Sequence, residues 1–220
     1  MGLLNLIDKF IIKFGDKKSA LDLEKNTQKI IIKNIGETIF LKQTHSSNGI
    51  ILENNIDSFA KEGDFIFTKT LGLAIGVFTA DCLSIIIIDQ IAQNCTVIHA
   101  GWRGSLDNII LNIIKIFLVH DSMPKDLMFY FGPSIGSCCY EVTAEFITKI
   151  SNQKSISYKN NKIYFDILNY NIMLLLDYGI KYNQINLDNW KCTFCNIEFC
   201  SYRRDKKSNL RQYSIVKIIQ

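Results

Sequence analysis

Proline, histidine and long uninterrupted apolar runs are all scarce in this chain of 220 residues. With two prolines, no Gly/Ser-rich linker and no fixed-period repeat, nothing marks an internal boundary. The reading is therefore one domain over residues 1–220, a length that buries enough apolar surface to fold without staples. No apolar stretch reaches the roughly 18 to 20 residues that a membrane helix needs. Basic runs with interleaved aromatics are missing as well, so the formal charge of +4 comes from scattered lysines and does not suggest a nucleic-acid groove. At the N-terminus, MGLLNLIDKFIIKF carries Asp8 and Lys9 early and has no small-residue cleavage site, so it does not read as a signal peptide. The seven cysteines are an odd number. That argues against a secreted disulfide framework and for a reducing compartment, with the cytoplasm as the expected location.

What is present is a mixture of strand-like and helix-like patterns. A helix is expected from about Leu21 to Lys33, followed by the apolar segment ETIFLKQTH that ends at His45. Short β-branched runs at Asp64–Thr68, Leu73–Asp89 and Cys95–Ala100 favour strands. From about Ser105 to His120, Ile109, Ile110, Ile113, Ile114 and Phe117 recur at helical spacing. Later come a strand LMFYFG, a helix from about Tyr140, a strand NKIYFDI, a helix through NIMLLLDYG and a final strand RQYSIVKII. Without strict βαβ alternation, the fold class is α+β (mixed α/β), a layered domain with mixed β-sheets flanked by helices.

Three metal-ligand side chains stand where apolar strands give way to polar turns: His45 in KQTH, Cys82 in TADCLS and His99 in VIHAGW. Singly, each has an ordinary structural explanation as a hydrogen-bonded histidine or a small core hydrophobe. Together, two imidazoles and a thiolate suit zinc, and three protein ligands with a free fourth position is the catalytic pattern. The third histidine, His120, follows the expected helix and reads as a surface or cap residue. Asp81 and Asp64 are available to orient imidazoles or move protons. Arg103, set between glycines just before a helix, suits an anion, although a surface ion pair with a carboxylate would explain it equally well.

ADC (Ala80 to Cys82), HAGWRG (His99 to Gly104), GPSIGSCCYEV (Gly132 to Val142) and CTFCNIEFCSYRRD (Cys192 to Asp205) resemble the YfiH family, also called the multicopper polyphenol oxidoreductase or laccase-domain family. The resemblance runs from about Lys42 to the C-terminus. It implies a metal site at His45, Cys82 and His99, zinc ahead of copper, and activity on purine nucleosides: phosphorolysis of adenosine, inosine and methylthioadenosine, with adenosine deamination. The expected partners are purine nucleosides and phosphate, with neither nucleic acid nor membrane. Cys82, His99, Arg103 and Asp81 are the expected catalytic residues, and Arg103, Asp64 and Cys139 the expected substrate contacts. The arm of about residues 1–35 is shorter than the family's and diverges from it.

Rival readings are a Cys/His hydrolase with Cys82 as nucleophile acting on a cell-wall precursor amide, a copper-dependent polyphenol oxidoreductase, and a non-catalytic zinc-stabilised binding protein. Cys192, Cys195 and Cys200 look like part of a zinc knuckle, but no fourth ligand is near unless Cys138 or Cys139 is recruited. Packing is the expected role of those three, with Arg203, Arg204 and Asp205 as an ion-pair cluster beside the site.

Overall fold

The structure, a computed structural model, describes residues 4–7, 9–23, 30–150, 153–206 and 208–219. The N-terminal arm contributes β1 (Leu4–Ile7), β2 (Phe10–Phe14), β3 (Leu21–Asp22), β4 (Ile30–Ile32) and β5 (Gly36–Phe40). Five strands follow: β6 (Ile50–Ile51), β7 (Phe65–Thr68), β8 (Ala74–Thr79), β9 (Leu83–Asp89) and β10 (Asn94–Ala100). Helices α1 (Trp102–Leu106) and α2 (Ile109–Val119) come next, then β11 (Leu127–Phe131), β12 (Glu141–Val142) and α3 (Ala144–Ile147). The chain closes with β13 (Ile156–Lys159), β14 (Lys162–Phe165), α4 (Ile167–Tyr178), β15 (Ile185–Asn186) and β16 (Leu210–Ile218).

One large sheet has the order β1-β2-β16-β8-β5-β4, with β3 also pairing with β16. A second runs β15-β11-β9-β10-β7-β6, and β12-β14-β13 form a small third sheet. Parallel pairs β5/β8, β6/β7 and β11/β15 sit among antiparallel ones, so the sheets are mixed.

Strand β9 shows why the layers stack as they do. All of LSIIIID is buried, and a strand buried along its whole length must be covered on both faces. Ile85 and Ile87 pack with Ile109, Ile113 and Leu175 of the helices, while Ile86 and Ile88 pack with Ile75 and Val216 of the other large sheet. The order is thus helices, sheet, sheet, and the outer face of the first large sheet has its own cluster around Phe40, Phe78 and Ile215. The Ser84 and Ser214 hydroxyls meet at 2.7 Å between the sheets, which satisfies two polar groups where no water reaches.

Several element expectations are corrected. The helix expected over Leu21–Lys33 is not formed at either end: Leu21–Asp22 and Ile30–Ile32 are strands, and residues 24–29 lie outside the described set. Ile30–Ile32 alternate buried, exposed, buried against β5, a period of two that the short β-branched run satisfies better than a helix would. The helix expected from Ser105 starts at Trp102 and breaks at Asn108, whose φ of 57° ends α1 before α2 begins. Its five expected core residues are all buried. Instead of a helix at Tyr140, Glu141–Val142 pair with β14, and α3 starts only after Thr143, whose side chain accepts the Phe146 N–H. The helix through NIMLLLDYG begins earlier, capped by Asp166, and ends at Gly179, where a φ of 102° favours glycine.

Candidate active site

Strand register assembles the site. In the β9/β10 pair Ala100 faces Leu83, which carries Cys82 to the end of β10. In the β10/β7 pair Ile98 faces Phe65, so His99 falls beside Asp64. Backbone and side chain both use that neighbourhood: His99 N–H donates to the Asp64 carbonyl at 2.7 Å, and His99 Nδ1 meets Asp64 Oδ1 at 2.7 Å.

His45 arrives on a loop pinned to the edge of β8. The Gln43 side chain donates to the Phe78 carbonyl at 2.8 Å and accepts the Phe78 N–H at 2.7 Å, copying a strand pairing. Two residues on, His45 takes a φ of 59° and turns its ring against that of His99, with centroids 4.7 Å apart. Such a left-handed conformation costs a non-glycine residue on the order of 1–3 kcal/mol. Asp64 holds the turn, accepting the His45 N–H at 3.0 Å and the Ser46 N–H and hydroxyl at 2.6 and 2.7 Å.

One ligand atom from each of His45, Cys82 and His99 lies within 4.8 Å of the others, so the three can hold a metal ion. With Nδ1 of His99 engaged by Asp64, Nε2 is the nitrogen left for a ligand bond. Burial alone would raise the Asp64 pKa, but the bonds from His99 and Ser46 outweigh it and hold the carboxyl well below the usual range. Burial would likewise raise the Cys82 thiol, and the two histidines outweigh it and lower it. His99 moves the other way: burial opposes its charge, yet Cys82 and Asp64 raise it.

Two glycines of HAGWRG explain themselves here. A Cβ on Gly101 would lie 3.2 Å from His45 Cδ2, a tight approach, and in ordinary contact with Cys82 Sγ at 3.4 Å and His99 Cε1 at 3.7 Å, so a side chain there would crowd His45 first. At Gly104 a Cβ would sit 2.6 Å from the Ser46 carbonyl, and α1 could not approach the His45 loop.

The triad opens into a cleft of about 1130 Å³. Phe59, Phe78, Tyr140 and Tyr202 supply aromatic wall, and Lys42, Arg203 and Arg211 supply positive charge. Thr79 also lines it, with its buried hydroxyl lacking a partner among the described residues. Gln43, Tyr140, Tyr202 and Thr79 were not picked out from the sequence; the glutamine of KQTH and the tyrosine of CCYEV were visible as motif letters only.

The remaining expected site residues are placed as follows. Asp64, expected to touch substrate, is fully buried, and its oxygens are taken by residues 44–46 and His99; it orients the histidines instead. Asp81 lines the cleft at a φ of 84°, with Oδ1 accepting the Thr193 hydroxyl at 2.6 Å and Oδ2 the Arg203 N–H at 2.7 Å. Its carboxylate thereby ties the ADC turn to CTFC and SYRRD. Arg103 is exposed over the Trp102 ring at 4.6 Å, with no carboxylate partner among the described residues. Cys139, expected at the substrate, is turned toward Cys195 at 3.2 Å and does not line the cleft. Arg203 donates to the Glu141 carbonyl at 2.7 Å and lies over Tyr140, while Arg204 bonds Asp205 and the Thr193 and Phe199 carbonyls. His120 caps α2, as expected.

The chain is similar to known proteins. The chain is 34% identical over 185 residues to a purine nucleoside phosphorylase of Borreliella burgdorferi, covering 80% of this chain and 77% of the relative. Against a purine nucleoside phosphorylase of Clostridium acetobutylicum it is 32% identical over 229 residues, covering 95% and 92%. Adenosine deaminase RL5, from an unknown prokaryotic organism, is 27% identical, with 78% and 71% covered. The crystal structure of the Bacillus licheniformis hypothetical protein YfiH has the same fold, with a TM-score of 0.82 at 21% identity over 99% of this chain and 96% of that one. The family model described as multi-copper polyphenol oxidoreductase laccase matches residues 10–219, which takes in most of the divergent arm as well as every motif that builds the cleft, and the chain belongs to that family, the YfiH family.

Proposed function

We propose that the protein is a zinc-dependent purine nucleoside enzyme that cleaves adenosine, inosine and methylthioadenosine with phosphate and also deaminates adenosine. The observation that carries this reading is the convergence of His45, Cys82 and His99 at the base of a cleft that combines aromatic surface with positive charge. The family relatives named purine nucleoside phosphorylase and adenosine deaminase support it.

The donor set fits a catalytic zinc: two imidazoles, one thiolate of lowered pKa and a carboxylate behind one imidazole. The same two imidazoles and thiolate occur in blue-copper centres, and the donor types alone do not select copper over zinc. Held by His45, Cys82 and His99, zinc would supply Lewis acidity and would lower the pKa of a water to roughly 7.

The chain's own residues do the rest. Phe59 and Tyr202 offer aromatic surface to a purine, with Phe78 stacked behind Phe59. Phosphate is held by Arg203, which lies over the Tyr140 ring, reinforced by Arg103, whose charge also reaches Tyr140. Burial, together with the charge of Cys82, pushes the Tyr140 phenol up, so it stays protonated and can donate a hydrogen bond into the cleft. Asp81 positions rather than transfers protons, because both its oxygens are engaged.

Metal analysis of the purified protein, paired with a turnover screen of adenosine, inosine and methylthioadenosine with and without phosphate, tests the proposal. Base release that depends on phosphate, and ammonia release from adenosine that does not, are the expected results. No turnover of any of these nucleosides by zinc-loaded protein would sink it.

A further inference from the structure

We propose that Cys138, Cys139, Cys192 and Cys195 form a second metal site, a tetrathiolate centre that binds zinc and fastens the GPSIGSCCYEV loop to the CTFCN loop. All four sulfurs lie within 4.8 Å of one another. Cys138 Sγ is 3.6 Å from that of Cys192 and 3.5 Å from that of Cys195, and Cys139 Sγ is 3.2 Å from that of Cys195. Four sulfurs around one zinc at about 2.3 Å stand roughly 3.8 Å apart, so little movement separates this cluster from a tetrahedron.

The sequence pointed to a different set. Cys200, the third member of the apparent knuckle, is buried apart from the cluster, where its N–H donates to the Gln212 side chain at 2.8 Å. The ligands come instead as a Cys-Cys pair and a C-x2-C pair more than fifty positions away, which only the fold brings together.

Independent features suit thiolates at this place. Gly136 N–H donates to Cys192 Sγ at 3.2 Å, and the Cys195 N–H also bonds to that sulfur. Backbone donors aimed at a ligating sulfur are the outer shell that metal centres use. A Cβ on Gly136 would lie 3.3 Å from both Cys138 Sγ and Cys192 Cβ, so glycine leaves room for the cluster. All four thiols are free and at least partly exposed; metal-free, they would be open to oxidation.

The two loops already meet elsewhere, through Thr193 N–H to the Ser134 carbonyl at 3.0 Å and Trp190 Nε1 to the Ser134 hydroxyl at 2.9 Å. Metal at the cysteines would reinforce this junction, where Ser134 also pairs with Cys192. Tyr140 directly follows Cys139, and Thr193 between the other pair holds Asp81, so the clamp would steady one wall of the cleft.

The test counts zinc in protein purified under reducing conditions, comparing wild type with the Cys138→Ser/Cys195→Ser double variant, whose substituted side chains are exposed and leave the core intact. The double variant should lose about one equivalent relative to wild type. Cobalt-substituted wild type should show the strong visible bands of a tetrahedral tetrathiolate, and these should persist in His45→Ala, which separates this centre from the histidine site. Equal zinc in wild type and double variant, or a disulfide among the four cysteines in the natively purified chain by mass spectrometry, would overturn the proposal.

Discussion

His99 Nδ1 lies 2.7 Å from Oδ1 of an Asp64 that has no exposed surface at all. A carboxylate so deeply buried is costly unless hydrogen-bonded throughout, and here the donors that satisfy it are the backbone and hydroxyls of the loop that carries the other histidine. One side chain thereby fixes both imidazoles. The β10/β7 register sets the first contact and the turn at residues 44–46 sets the second.

Replacing Asp64 by Asn keeps the shape but removes the charge and part of the acceptor capacity. Metal affinity at the His45–Cys82–His99 site should fall about 10- to 100-fold, measured by competition with a chromogenic chelator. Unchanged affinity would show that the histidines hold their places without it.

Gly101→Ala should damage the site without unfolding the protein. The new Cβ would press on His45 at 3.2 Å and touch Cys82 and His99 at 3.4 and 3.7 Å. Lower metal occupancy with an unaltered circular dichroism spectrum is the expected outcome; full occupancy would mean that the ligands relax around a methyl group at no cost.

Cys82 separates the metal enzyme from a cysteine hydrolase. A coordinated thiolate is shielded, so iodoacetamide should label Cys82 much faster after chelation than before. Nucleoside turnover should vanish with chelator and return with zinc. Activity surviving complete metal removal, with a substrate-derived adduct on Cys82, would promote the hydrolase.

Arg203→Ala and Arg103→Ala should each raise the phosphate requirement of phosphorolysis. A lost charge-assisted contact is worth about 1.5–3 kcal/mol, and the larger effect is expected for Arg203, which lines the cleft while Arg103 stacks on Trp102 outside it. Deamination needs no phosphate and should be spared more. Equal loss of both activities at constant metal content would assign these residues to general substrate positioning.

Asp205 links pH to stability. Its hydrogen bond to Arg204, together with Lys17, holds its pKa down to about 2, despite some burial that opposes the shift. A depressed carboxylate stabilises the fold fully above its unfolded pKa of about 4, and that contribution is lost as pH falls toward 2. Because the pair is partly exposed, Asp205→Asn should cost about 1 kcal/mol at pH 7 and nearly nothing at pH 2, read from urea unfolding. A constant difference between the two pH values would contradict the linkage.

By itself the sequence determined the ligand types and their strand edges, because alternating and unbroken apolar runs such as LSIIIID and CTVIHA leave little freedom in where a strand ends and its polar turn begins. It determined the buried face of α2 for the same local reason. The arm was misread between Leu21 and Lys33, where helical spacing competed with a strand pairing to β5 that depends on a partner. Tertiary structure alone decided that Asp64 is an orienting residue and Asp81 a tie between loops, that Gln43 locks the His45 loop to β8, and that Cys139 faces Cys195 instead of substrate. Each of these relationships joins residues from about twenty to more than a hundred positions apart. Strand register and loop packing set such distances, and no local pattern of side chains encodes either.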